Sequence, residues 1–265
     1  MNKPRIVFTD VDGTSFINET QTVLESTLIA FRKLRENDIK VFICTSRSYQ
    51  ETLQLPRKYL KEIDGIICST GSFIYYKGKL IKRHDLDNKE LEIMINIFDK
   101  YNCVYRYITK DNIGYLNKYN IDAINSFKYL YDYVPDIKPY DNEIISNLMC
   151  FTLTDKIKNK KLYEELYNKL NNSNLLDLIQ VIEITNKGIN KGSGIKDVCN
   201  KLNIDIKDTI GFGDSLNDID MFNTVNYSIA MGNAKEQLKQ YATYITDNIN
   251  DDGFYNACIN NGWIK

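Results

Sequence analysis

The sequence predicts an α/β protein: a parallel-sheet core with helices on both faces, interrupted by a second, α+β domain. Three observations carry that prediction. Continuous apolar, β-branched runs alternate with amphipathic helical stretches at the start of the chain. The same alternation returns after about residue 186. Between these two regions the strand signals have hairpin-like or helical neighbours and few sharp strand-to-helix turns. Continuous apolar strands are buried on both faces, so helices must cover them. The two chain ends therefore build one Rossmann-like core, 1–82 and 186–265, with 83–185 inserted between them. Insertion at an exposed loop is well tolerated.

The elements follow in order. Ile6-Val7-Phe8-Thr9 is a short apolar strand that ends in the turn chemistry of Asp10-Val11-Asp12-Gly13-Thr14. Ser26 to Leu34 has helical spacing, with Leu28, Phe31 and Leu34 near one face. Lys40 to Cys44 and Gly65 to Ser69 are further core strands, the first followed by Thr45-Ser46-Arg47-Ser48. In the middle, helices are expected at Leu91 to Tyr101, Asp122 to Tyr133 and Lys160 to Leu170. Val104 to Ile108 alternates like a half-exposed strand, and Leu148 to Leu153 and Ile179 to Ile184 read as strands. Gly192 to Leu202 is a helix, and Thr209 to Gly213 is a strand leading into Asp214-Ser215-Leu216-Asn217-Asp218. Tyr227 to Ala230 and Ala242 to Ile245 are short closing strands.

Composition narrows the function. Of 265 residues, 34 are Lys or Arg and 35 are Asp or Glu, a formal net charge of −1. That balance gives no generic electrostatic hold on nucleic acid or anionic membrane. No apolar run approaches the ~18 residues that span a bilayer. The start, Met1-Asn2-Lys3-Pro4-Arg5, runs into a strand without a small-residue cleavage site, so no signal peptide is expected. The six cysteines are scattered and form no C-x-x-C pair. Buried free thiols in a cytoplasmic protein are therefore expected. A monomer or weak homo-oligomer is expected.

Four segments carry chemistry, each at the C-terminal end of a strand or the start of a helix, where open α/β sheets bind ligands. In Asp10-Val11-Asp12 the two carboxylates are two apart, and an extended backbone points both to one side. The plain alternative is an Asx turn. Thr45-Ser46 offers hydroxyls and backbone N–H groups to an anion, or simply a helix cap. Lys191 opens a helix, where a cation opposes the dipole, so a role against a phosphate or carboxylates is indicated beside that of an ordinary surface lysine. Asp214, Asn217 and Asp218 follow a buried strand between Gly-rich turns. Their oxygen donors suit a hard cation such as Mg2+.

Together these segments resemble the haloacid dehalogenase superfamily of phosphohydrolases, and within it the Cof-type subfamily with a large inserted cap. Asp10-Val11-Asp12-Gly13-Thr14 is similar to the family's D-x-D-G-T, and Gly213 to Asp218 to its G-D-x-x-N-D. Thr45 and Lys191 stand where the second and third motifs are expected, and Ala230-Met231-Gly232-Asn233-Ala234 is also Cof-like. The resemblance implies that Asp10 is the nucleophile, forming an aspartyl-phosphate, and that Asp12 is general acid and then base. It implies Mg2+ held by Asp10, the Asp12 carbonyl and Asp214. Lys191, the Thr45 hydroxyl, the Ser46 N–H and Asn217 would hold phosphate, and Asp218 would orient a metal-bound water or Lys191. Three residues depart from the usual pattern: Ser46 in place of Gly, Ser15 in place of an apolar residue, and Thr70 in place of Asn before Gly71.

The function so implied is a Mg2+-dependent phosphatase for small phosphorylated metabolites, sugar phosphates first, with the cap closing over the site. Two rivals stand beside it. One is a phosphomutase or phosphotransferase sharing the same motifs. The other is a ligand-binding relative without catalysis, against which the intact Asp10, Asp12, Lys191 and Asp214 argue.

Overall fold

The computed structural model describes residues 3–178 and 180–265. Met1 and Asn2, which open the expected core, lie outside the described residues, as does Ile179, which opens an expected strand. The fold gathers into two compact units. One comprises Met1–Arg47, Leu55–Lys82 and Asn190–Lys265, the other Ser48–Gln54 and Arg83–Ile189.

The first unit is built on β1 (Ile6–Thr9), β2 (Lys40–Cys44), β3 (Gly65–Cys68), β4 (Phe73–Tyr76) and β5 (Lys79–Arg83). The second contributes β6 (Tyr105–Thr109), β7 (Gly114–Leu116), β8 (Asp136–Ile137), β9 (Ile145–Phe151), β10 (Ser173–Asp177) and β11 (Val181–Asn186). The chain then returns with β12 (Thr209–Gly213), β13 (Tyr227–Ala230) and β14 (Tyr244–Ile245). Among the described residues the core sheet has the order β14-β13-β12-β1-β2-β3-β4-β5. Its strands from β14 to β3 run parallel, and β4 returns antiparallel to β3.

Both faces of this sheet are covered, as unbroken apolar strands require. Val7, Val41, Ile43 and Phe212 pack on one side with Leu28, Phe31 and Leu34 of helix Glu25–Glu36 and Phe254 of helix Gly253–Asn260. Ile6, Phe8, Phe42 and Cys44 pack on the other with Ile195 and Val198 of helix Lys191–Leu202. Successive side chains of each strand thus enter opposite cores. The β4–β5 hairpin has no counterpart in the sequence reading. Its turn residues Lys77 and Gly78 both have positive φ, the requirement of a tight primed turn.

Among the described residues the second unit carries a six-stranded sheet ordered β10-β11-β9-β6-β7-β8. Helices Asn88–Lys100 and Lys156–Lys169 cover the face that presents Tyr105, Tyr107, Leu148 and Ile182. The expectation of a half-exposed strand at Val104 to Ile108 is corrected here: β6 is buried along its whole length. The alternation is genuine, but its polar member Arg106 turns into a second buried layer. There it donates to both Glu51 carboxylate oxygens at 2.8 Å and to Asn147 Oδ1 at 3.1 Å. Asn147 in turn donates to Glu183. All six cysteines are free and buried.

Candidate active site

Strand order brings the acidic segments together. β1 lies between β12 and β2, so the residues that follow these three strands share one end of the sheet. Asp10 still belongs to the ladder, its N–H donating to the Phe212 carbonyl at 2.9 Å. Asp214 follows the neighbouring strand directly. Asp10, Asp214 and Asp218 each place a carboxylate oxygen within 4.8 Å of the others.

Lys191, the first residue of helix Lys191–Leu202, reaches this cluster and has no exposed surface. Its Nζ donates to Asp10 Oδ1 at 2.7 Å and to Asp218 Oδ1 at 2.6 Å. The misfit of a cation at a helix start thus has its use: the ammonium faces two carboxylates. Burial pulls the Lys191 ammonium down, but Asp10 and Asp218 outweigh it and hold its pKa above the ordinary value. The second Asp218 oxygen accepts the N–H groups of Asp214 and Ser215, so both its oxygens are occupied within its own loop and by Lys191. Thr14 Oγ1 donates to Asp214 Oδ1 at 2.9 Å. Between them, Gly13 has φ +82°, and a Cβ there would lie 2.5 Å from Asp214 Oδ2. Only glycine allows the acidic loops to approach so closely.

Burial raises the Asp10 carboxyl well above its usual value, Lys191 opposing and the neighbouring aspartates reinforcing the rise. Burial, again with Asp218 beside it, pushes Asp214 up to about 7. Crowded, desolvated carboxylates of this kind fit a cation. The donors are all oxygen and mostly anionic, the set a small hard dication prefers, and such a charge restores the ionised forms. Asp10 and Asp214 are the side chains able to hold it, since Asp218 is already engaged on both oxygens.

Asp12 has a different neighbour. Arg47 Nε and Nη2 donate to its two oxygens at 2.9 and 2.5 Å. Asp12 keeps 26% of its side chain exposed, whereas Arg47 keeps 1%. The Arg47 backbone N–H donates to Thr45 Oγ1 at 3.1 Å, which leaves the buried Thr45 O–H as a donor. Ser46 is half-buried between them. The helix expected after this segment is one turn, Tyr49–Thr52, whose N-terminus is closed by a Ser48–Glu51 capping box. Asn217 is half-buried in the Asp214–Asp218 loop, and its Oδ1 accepts from Ser215 Oγ.

The residues that the sequence reading left without a role are the supports. Ser15 Oγ donates to the Asp10 carbonyl at 2.7 Å and lies 2.7 Å from Tyr59 Oη. The serine proton is committed, so the tyrosine is the donor. Asn233 donates to the Gly13 carbonyl and accepts from the Ile249 N–H, fastening the Asp12-Gly13 turn from the opposite side. Arg47 stands in plain view two residues after Thr45, but nothing local distinguishes a buried arginine from a surface one.

Comparison with known proteins gives a consistent picture. A sequence model of the haloacid dehalogenase-like hydrolases matches residues 7–258. A 5-amino-6-(5-phospho-D-ribitylamino)uracil phosphatase, YcsE, of Bacillus subtilis is 28% identical over 96% of this chain and 94% of its own. A phosphoglycolate phosphatase of Staphylothermus marinus is 30% identical over 91% of each. Among solved structures, a subclass IIB sugar phosphatase superposes with a TM-score of 0.86 at 24% identity, covering 98% of this chain and 100% of that one. That last likeness concerns the fold.

Proposed function

The chain belongs to the haloacid dehalogenase-like hydrolase family, and from that membership we propose a Mg2+-dependent phosphatase acting through an aspartyl-phosphate on Asp10. Its substrates are small phosphorylated metabolites, sugar phosphates first. The observation that carries this is the buried cluster of Asp10, Asp214 and Asp218 with Lys191 set against two of them. In this reading 1–82 and 186–265 form the catalytic core and 83–185 the cap.

Phosphate monoesters repel an attacking carboxylate, so the site must supply positive charge. Mg2+, held by Asp10, the Asp12 carbonyl and Asp214, would neutralise the phosphoryl oxygens. Lys191 adds a fixed charge, and Thr45 O–H, the Ser46 N–H and Asn217 orient the remaining oxygens for in-line attack. The Asp10 carboxylate bonds to phosphorus as the bond to the leaving oxygen breaks. That oxygen takes a proton from Asp12 and departs as the alcohol. Water then attacks phosphorus and gives its proton to Asp12, the bond to Asp10 breaks, and inorganic phosphate leaves. Asp218, locked to Lys191 and to two backbone N–H groups, keeps the ammonium in place.

The relatives are named for a 5-phospho-D-ribitylamino uracil and for phosphoglycolate, both small phosphorylated molecules, which supports the substrate class. The test is phosphate release from sugar phosphates, nucleotides and p-nitrophenyl phosphate, with Mg2+ and with EDTA. Metal-dependent release that Asp10→Asn abolishes is the expected result. Folded protein that releases none from any ester with Mg2+ present would sink the reading.

A further inference from the structure

Asp12 lies just before a glycine of positive φ and keeps part of its side chain exposed. A proton-transfer group has to stay within hydrogen-bond reach of the reacting oxygen. Asp12 is not left to do so alone. Both its oxygens meet one edge of the Arg47 guanidinium, the bidentate geometry that fixes the plane of a carboxylate as well as its position. Arg47 is in turn immobile. Its side chain is 1% exposed, and its guanidinium carbon lies 5.3 Å from the centre of the Phe16 ring. Phe16 belongs to the same turn as Asp12, since the two form a β-bridge and the Phe16 carbonyl accepts the Gly13 N–H. The Arg47 backbone is pinned at both ends: its N–H goes to Thr45 Oγ1, and its carbonyl accepts the Ser69 N–H at 2.8 Å. The arginine therefore ties the Thr45 loop to the Asp12 turn.

We propose that Arg47 is the positioning residue of this site, holding the Asp12 carboxylate where it serves the leaving oxygen, and not a ligand of the transferred phosphate. The N–H groups of the edge that faces Asp12 are committed to that carboxylate. The inference rests on the proton-transfer role given to Asp12 above.

The two roles predict different substrate dependence. A sugar alkoxide is a poor leaving group and needs the proton, whereas p-nitrophenolate departs without one. A phosphate ligand would matter equally to both esters. The experiment measures kcat and KM for a hexose phosphate and for p-nitrophenyl phosphate, in Mg2+, for wild type, Arg47→Met, Arg47→Lys, Asp12→Asn and the Arg47→Met/Asp12→Asn double variant. Arg47→Met should lower kcat/KM, which reports the step that expels the leaving group, by ~100-fold on the sugar phosphate and by less than ~10-fold on p-nitrophenyl phosphate, while kcat falls on both esters wherever hydrolysis of the shared aspartyl-phosphate limits turnover. Asp12→Asn should show the same bias, and the double variant should lose no more than Asp12→Asn alone. Arg47→Lys keeps the charge without the fork and should fall between, which also guards against a folding defect in Arg47→Met. Equal losses of kcat/KM on the two esters, or additive losses in the double variant, would overturn the inference and leave the phosphatase reading standing. A wild-type protein that hydrolyses neither ester would overturn both.

Discussion

At Lys191 one ammonium without exposed surface faces two carboxylates, and the three groups depend on one another. Taking Nζ away leaves Asp10 and Asp218 desolvated with no counter-charge. Lys191→Met should therefore abolish turnover and also cost about 3–5 kcal/mol of stability, read by denaturant unfolding. A loss of activity with unchanged stability would mean that the carboxylates find another partner or take up protons readily. Gly13 tests the spacing of the same cluster. Gly13→Ala drives a methyl into Asp214 at a backbone angle that L-residues avoid, so Mg2+ activation should weaken at least ~10-fold, read by metal titration of activity. The residues of this candidate site, Asp10, Asp12, Lys191, Asp214 and Asp218, were legible only as a set: singly, each segment reads as readily as an Asx turn, a capped loop or a surface lysine. What could not be read was which carboxylate goes with which cation. The pairs Asp10–Lys191 and Asp12–Arg47 span 181 and 35 positions and exist only because strand order brings their loops together.

The turn after β3 shows how elements support the site. Thr70 N–H donates to the Thr45 carbonyl, and Ser69 N–H to that of Arg47, so this short 3-10 turn clamps the Thr45–Arg47 loop. It does so with two non-glycine residues at positive φ, Ser69 at 49° and Thr70 at 52°. A β-branched residue is strained there, and the Thr70 hydroxyl is buried without a partner among the described residues. Thr70→Asn should raise stability by ~1 kcal/mol, seen as a higher unfolding midpoint, because asparagine tolerates the left-handed region. A lower midpoint would place the strain elsewhere. In the second unit, β6 read as half-exposed because sequence alternation reports polarity, not accessibility. Its Arg106 is buried against Glu51, a residue 55 positions earlier in the chain. Arg106→Met alone should destabilise by about 3–5 kcal/mol, and Glu51→Leu added to it should recover a large part, as a double-mutant cycle would measure. The longer helices were legible to within a few residues because their apolar spacing is set by packing on a sheet. β7 and the edge strands β8 and β10 were not: the first two are very short, and β10 has little apolar periodicity to read.

For the whole molecule, the acidic cluster links stability to pH and to metal. An unfolded Asp titrates near ~3.9, whereas burial holds Asp214 at about 7. Between those values the folded chain binds more protons than the unfolded one, so stability falls as pH rises through that window. Metal-free protein should therefore melt at lower temperature near pH 8 than near pH 5 through this group, and Asp214→Asn should flatten the difference. On the proposed role of Mg2+ as ligand of the ionised cluster, the ion should raise the melting temperature more at the higher pH, and EDTA should reverse it. An equal Mg2+ effect at both pH values would argue against a metal at Asp214. The central claim is that Asp10 itself takes the phosphoryl group, and stereochemistry at phosphorus addresses it most directly. Hydrolysis of a thiophosphate ester made chiral at phosphorus with two oxygen isotopes, in Mg2+ and in water carrying the third, should give inorganic thiophosphate of net retained configuration, since two in-line displacements each invert the centre. Net inversion would mean that water attacks in a single step, and would contradict Asp10 as the nucleophile.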